Sequence, residues 1–266
     1  MSVLDEILAA KRDEVTLLHQ PPTRDAIRTA VLAAPAPRDF AGALRDSEHL
    51  AVIAELKRRS PSKGDLAPDL DPAATAAAYA AGGATALSVL TDQVFFGGTV
   101  DDLRQARDAS PHTPVLRKDF TIDADQVYET RAIGADAILL IVAAVPDDAL
   151  LRDLHDLAGD LGLAALVEAH DEPELERALD LSPRIVGVNA RNLATFDEDL
   201  AGVARLAARI PPDMVAVAES AIRAPADAAQ MAAVGFDAVL VGEALVRAED
   251  PTGLVAAFAA PARTGR

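Results

Sequence analysis

The stretch Pro114–Phe120, PVLRKDF, sets Arg117, Lys118 and Asp119 at the tail of a short apolar run. A strand buried on both faces has no use for two cations and an anion, whereas a strand whose last residues enter a polar site does. Lys118 is therefore read as a catalytic ammonium at a strand end. Other polar residues follow apolar runs in the same way: Glu55 and Lys57 after AVIA, Glu168 and His170 after LAALV, Asn189 and Arg191 after IVGV, Glu219 and Ser220 after VAVA, Gly242 and Glu243 after AVLV. Carboxylates beside lysines suit general acid–base chemistry. A nearby cation keeps a carboxylate ionised, and burial lowers a lysine toward working pH. Lys57, Lys118 and Arg191 gathered in an acidic chain point to an anionic ligand.

Each position also has a structural reading. Glu55 with Lys57, and Lys118 with Glu168, suit ion pairs inside a fold. Arg191 suits a helix C-terminus or a pair with Asp197, and Ser220 suits a turn. His170 reads as a surface or supporting residue rather than a catalytic one. Lys is scarce, with Lys11, Lys57, Lys63 and Lys118 the whole set. Retained lysines are candidates for positions that need an ammonium rather than a guanidinium, although chance retention covers Lys11 and, in part, Lys63.

The elements that must position these residues follow a rhythm. Strand-like runs occur at Ala51–Leu56, Thr85–Leu90, Pro114–Arg117, Asp136–Val142, Leu163–Val167, Arg184–Val188, Met214–Ala218 and Asp237–Val241. Helical patterns lie between them, such as Pro72–Ala81, Asp147–Asp160, Glu172–Leu179, Asp199–Arg209 and Pro225–Ala233. Gly83, Gly134 and Gly235 precede strands, where glycine closes a helix in a left-handed conformation. Continuous apolar strands alternating with amphipathic helices specify a parallel sheet covered by helices. Eight such units predict an α/β fold of the (β/α)8 TIM-barrel class, with the site at the C-terminal strand ends. A doubly wound open sheet is the second choice, and its glycine-rich nucleotide turn is absent. The loops after strands seven and eight are where barrels often hold phosphate. Residues 1–47 read as a helical extension, with helices over 2–19 (Ser2 as N-cap) and Thr23–Ala34, separated by Pro21-Pro22. Residues 48–266 read as the catalytic barrel.

Half of the 266 residues are hydrophobic, enough for one large core. The absence of Cys excludes disulfides, thiolate catalysis and Cys-ligated zinc. A formal charge of -17 argues against nucleic acid and anionic membranes as partners. The acidic N-terminus lacks the features of a signal peptide, and no apolar run approaches the roughly 20 residues of a membrane span. The chain reads as a soluble, cytoplasmic monomer that uses neither metal nor cofactor. Phe95 and Phe96, bordered by Gly97 and Gly98, read as an aromatic loop tip in a chain with seven Phe and two Tyr.

The motifs VLDEILAAKRDEV, VIAELKRRSPSKG, LTDQVFFGG, PVLRKDFTID, QVYETRAIGADAILLI, LVEAHDEPELERAL, VGVNARNLATF, AESAI and VLVGEALV run almost end to end. In this order the chain resembles the indole-3-glycerol phosphate synthases of tryptophan biosynthesis. The resemblance implies a carboxy-lyase that closes the indole ring of 1-(2-carboxyphenylamino)-1-deoxyribulose 5-phosphate, releasing carbon dioxide and water. It implies that Lys118 protonates the keto oxygen and that Glu168 serves the dehydration, with Lys57 close by. Which lysine serves which proton transfer stays open. Glu55 and Asn189 would orient these groups. Arg191 and Ser60 would meet the anthranilate carboxylate, and Phe96, Phe120 and Leu139 would wall the aromatic ring. Ser220, Ala221, Gly242 and Glu243, helped by Lys57, would hold the phosphate.

Two departures stand out. The family usually reads ESGI where this chain has Glu219-Ser220-Ala221-Ile222, and NNR where it has Asn189-Ala190-Arg191. Ala221 is harmless at negative φ and costs on the order of 1 kcal/mol at positive φ. Two other classes compete. One is another phosphate-binding barrel enzyme, such as an isomerase with a Cys base or a Schiff-base aldolase using Lys118. The other is a non-catalytic barrel that binds a phosphate ligand.

Overall fold

The computed structural model describes residues 2–191 and 198–264. Eight parallel strands close into a barrel: β1 (Ala51–Leu56), β2 (Ala86–Leu90), β3 (Val115–Lys118), β4 (Ala137–Ile141), β5 (Ala164–Ala169), β6 (Ile185–Asn189), β7 (Val215–Glu219) and β8 (Ala238–Val241). The ring closes where Ala51 of β1 pairs with Ala238 of β8. Side chains alternate across each strand. Val52, Ala54 and Leu56 pack outward with Tyr79 and Phe258, which leaves Ile53 and Glu55 on the barrel interior.

Several of these strands sit about one residue later than the apolar runs suggest. Lys118, Glu168, Asn189 and Glu219 are themselves strand residues, paired across the sheet as Leu90 with Lys118, Glu168 with Gly187, and Asn189 with Glu219. Polarity ends an apolar run in the sequence, but a backbone ladder is indifferent to side-chain charge. The consequence is functional, because groups on strands are held more rigidly than groups on loops.

The extension comprises α1 (Val3–Leu18), α2 (Pro21–Ala33) and α3 (Phe40–Arg45). Ser2 caps α1, and its side chain and that of Asp5 satisfy each other's backbone N–H. Pro21-Pro22 ends α1 as expected, yet α2 begins at Pro21 rather than Thr23. Proline is tolerated in a first turn, where its missing N–H would have no partner. Ile7, Leu8, Lys11 and Val15 form the buried face of α1. Lys11 is fully buried, so chance retention does not describe it.

Part of the acidity is structural. Asp39, Asp71, Asp92, Asp123, Asp147, Asp171, Asp199 and Asp250 cap helices by accepting backbone N–H groups. Each such cap stabilises by about 1 kcal/mol and complements the helix dipole. Gly83, Gly134 and Gly235 have φ of 88°, 88° and 100°, the left-handed closures expected before strands. Among the described residues, no helix is long and apolar enough to cross a membrane.

Candidate active site

The C-terminal strand ends surround a cavity of about 950 Å³, counting its open mouth. Every residue that the sequence singled out for a site lines it: Glu55, Lys57 and Ser60 from β1 and its loop, Phe96 after β2, Lys118 from β3 and Phe120 from the loop after it, and Leu139 from β4. The remaining strands contribute Glu168, Asn189, Arg191, Ser220, Ala221, Gly242 and Glu243. The β4 wall is Leu139 with Ile141. Leu140 between them faces the other way because side chains alternate.

Lys118 is at the centre. Its Nζ donates to Glu168 Oε2 at 2.7 Å and to Glu219 Oε2 at 2.9 Å. Burial works against its charge, but Glu168, Glu219 and Glu55 outweigh it and push the ammonium above the usual lysine range. This reverses the expectation of a lowered lysine: two adjacent carboxylates prevail over desolvation. Lys118 is therefore a committed cation that can donate a proton but does not rest as a free amine.

The two glutamates differ. Burial disfavours the charge of Glu168, yet Lys118 and His170 hold its carboxyl well below the ordinary range. Asn189 Nδ2 donates to Glu168 Oε1 at 3.0 Å. Burial pushes Glu219 up to about 8, with Lys118 opposing the rise and the Glu168 charge adding to it. A Cβ at Gly187 would overlap the Glu219 carboxylate, so that glycine makes the room Glu219 occupies. Gly242 does the same for Glu55, whose Oε1 accepts from Lys57 Nζ at 2.6 Å. The Glu55–Lys57 ion pair is real and lies within the cavity.

The apolar side of the slot is built from loops. Asp92 caps the turn Gln93–Phe96 by accepting from the N–H groups of Phe95 and Phe96. The expected aromatic loop tip is thus a helical turn. Phe96 and Phe120 lie with ring centroids 6.1 Å apart, tilted by 37°. Asp119 Oδ1 accepts from Phe120 N at 2.8 Å, and Arg117 and Lys11 both pair with Asp119.

Arg191 anchors the opposite side. Its backbone N donates to Asn189 Oδ1 at 2.9 Å and Nη1 donates to Ser62 Oγ at 3.1 Å. Its fork holds Glu198, which also pairs with Arg223. The alternative partner, Asp197, lies outside the described residues. Ser60 Oγ is buried at the cavity without a hydrogen-bond partner among the described residues. Ser220 and Ala221 have φ of 64° and 56°. Two successive left-handed non-glycine residues are uncommon, and Ala221 falls in the costly of its two expected cases.

Comparison with known proteins decides the family. The family model of indole-3-glycerol phosphate synthase matches residues 4–258. The chain belongs to the indole-3-glycerol phosphate synthase family. A protein of that name from Nocardioides sp. is 53% identical over 255 residues, covering 96% of this chain and 97% of the relative. Another, from Aromatoleum aromaticum, is 52% identical over 252 residues, covering 94% and 95%. Among solved structures, the 3-hexulose-6-phosphate synthase of Salmonella typhimurium superposes with a TM-score of 0.60 at 15% identity, covering 79% of this chain and 97% of that one. The thiamine phosphate pyrophosphorylase of Pyrococcus furiosus gives 0.59 at 15%, covering 80% and 94%. At such identities these two establish the barrel alone.

Within this indole-3-glycerol phosphate synthase fold, Glu219, named from the sequence as a strand-end residue without a role, lines the cavity together with Glu198 and Arg223, which the sequence did not single out. Glu219 was visible as a carboxylate ending an apolar run, and the missing signal was its partner, Lys118, 101 residues away. Glu198 carried no pattern at all. Outside the cavity, His19, Asp123 and Asp125 cluster where the extension meets the barrel. Arg24 and Arg28 already engage Asp125 there, so the group reads as a seam of ion pairs.

Proposed function

We propose that this chain catalyses the ring closure of 1-(2-carboxyphenylamino)-1-deoxyribulose 5-phosphate to indole-3-glycerol phosphate, with loss of carbon dioxide and water. The observation that carries the reading is Lys118, held as a cation by two buried glutamates at one end of an aromatic-walled slot. The ring carbon bearing the carboxylate attacks the substrate's keto carbon. Lys118 Nζ gives its proton to the keto oxygen as that carbon–carbon bond forms. Departure of carbon dioxide returns the bonding electrons to the ring and restores aromaticity. Elimination of the resulting hydroxyl then needs one group to protonate the leaving oxygen and another to take a ring proton. Glu219, whose burial favours the protonated carboxyl, suits the first task, and Glu168, held toward the anion by Lys118 and His170, suits the second.

The other residues divide by chemistry. Phe96, Phe120 and Leu139 receive the aromatic ring. Arg191 meets the substrate carboxylate by exchanging it for Glu198, and Ser60 offers its free hydroxyl nearby. Asn189 and Glu55 orient Glu168 and Lys57. Ser220, Ala221, Gly242 and Glu243 turn backbone N–H groups toward the phosphate, with Lys57 as counter-ion.

The Schiff-base aldolase reading fits less well, because it needs a neutral amine where two carboxylates favour the ammonium. Purified protein supplied with the carboxyphenylamino substrate should develop indole fluorescence. A folded protein that yields none would overturn the reading, and borohydride trapping of substrate on Lys118 would favour the aldolase.

A further inference from the structure

His170 lies at the end of β5, outside the cavity lining, in a position that the ring-closure chemistry above does not use. Its side chain is only 9% exposed. Nδ1 is 2.9 Å from Glu174 Oε2, and Nε2 is 3.3 Å from Glu168 Oε1. The same Glu174 oxygen accepts from the His170 backbone N at 2.9 Å, which fixes the ring from behind. Glu174 is itself set by the helix Glu172–Leu179, whose cap Asp171 accepts from its N–H.

A neutral imidazole has one N–H and one lone pair. With both nitrogens facing carboxylates, its lone pair would meet the lone pairs of an oxygen. The imidazolium meets both carboxylates favourably. Nε2 faces Glu168 Oε1 as a close ion pair and makes no aligned hydrogen bond. Burial opposes the cation, but Glu168 and Glu174 push His170 up to about 10.

The charged groups around Glu168 are then Lys118 from β3, Glu219 from β7 and His170 from its own strand, with Glu174 behind the imidazole and the neutral amide of Asn189 alongside. Lys118 serves the two glutamates almost equally, at 2.7 and 2.9 Å, and does not by itself distinguish them. His170 is the charged group that does, beside the Asn189 amide, which donates to Glu168.

We propose that His170 is a positioning residue for the carboxyl pair: clamped as an imidazolium between Glu168 and Glu174, it keeps Glu168 the anion and leaves the shared proton on Glu219. The assignment rests on the ring-closure reading, because it explains how two similar buried glutamates take opposite parts in the dehydration. It acts without touching substrate.

Removing this positive charge makes the pair hold its proton more tightly. In His170→Gln, the limb of the kcat profile near pH 8 is expected to move up by about one pH unit, a tenfold tighter proton. KM should stay within about threefold. A side chain that only fills space would lower the rate at every pH and leave the limb in place. In wild type, nitrogen-15 NMR of the His170 ring is expected to show both nitrogens protonated at pH 8, and this measurement decides the matter should the variant not fold. A neutral ring at pH 8, or an unmoved limb in folded His170→Gln, overturns the proposal. Wild-type protein without turnover overturns the ring-closure reading instead, and the ring's protonation state still decides whether His170 is the cation.

Discussion

Lys118, half-buried, and Lys11, fully buried, are two lysines each held among carboxylates in different situations. Lys118 Nζ lies between Glu168 and Glu219, and Lys11 Nζ lies 3.0 Å from Asp92 Oδ2 and 2.9 Å from Asp119 Oδ1, with Glu14 as a third partner. In both, burial opposes the charge and neighbouring carboxylates restore it. The difference is access. Lys118 faces the cavity, whereas Lys11 is sealed beneath the loops that follow β2 and β3. Asp92 Oδ1 accepts from the N–H groups of Phe95 and Phe96, and Asp119 Oδ1, the oxygen that faces Lys11, also accepts from Phe120 N. One cluster therefore presents a proton to a substrate, and the other ties the extension to the backbone that carries the aromatic wall. A buried ammonium among carboxylates is not chemistry until a ligand can reach it.

Substitution at the two lysines should separate rate from stability. Lys118→Ala is expected to lower kcat by about two to four orders of magnitude while circular dichroism shows a folded barrel, since a general acid contributes on that scale. A near-normal rate would remove Lys118 from its role and erase the contrast. Lys11→Met should instead lower unfolding free energy in denaturant by about 3–5 kcal/mol, the scale for leaving buried charges unpaired. Full stability with abolished turnover would reverse the assignment of the two lysines.

Acid adds a second handle on the sealed cluster. Burial works against the charge of Asp119, but Arg117 and Lys11 hold it at about 2. A depressed carboxylate stabilises above its unfolded value and loses that contribution as pH falls toward its folded one. Wild type should thus lose about 2 kcal/mol from this group between roughly pH 4 and pH 2. Lys11→Met should show a smaller loss there, measured as denaturation midpoints across that range.

The smallest expected effect is at Ala221. Ala221→Gly relieves a left-handed alanine and should add about 1 kcal/mol, raising Tm by about 2–4 °C. KM should be equal or modestly lower. An unchanged or lower Tm would show that the φ of 56° carries no strain that glycine relieves.

The barrel was legible because its signals are local. Apolar runs, helix caps and glycines such as Gly83 and Gly134 act within a few residues of themselves. Lys118, Glu168 and Asn189 could be seen as polar residues ending such runs, but bounds drawn where the apolar runs stop leave out the residues through which the strands continue. What could not be read were relations between distant strands. Nothing near His170 tells that it faces Glu168 with Glu174 behind it. Lys11 looks like any polar residue on an amphipathic helix until Asp92 and Asp119 are brought over it.

Gly187 and Gly242 carry a practical consequence. Neither has a side chain, yet each leaves the volume into which a glutamate folds. Anyone grafting this chemistry onto another eight-stranded scaffold would have to transplant two absences along with the acids and bases. A copy with every reactive side chain in register and an alanine at either place would push out the carboxylate it was built to hold.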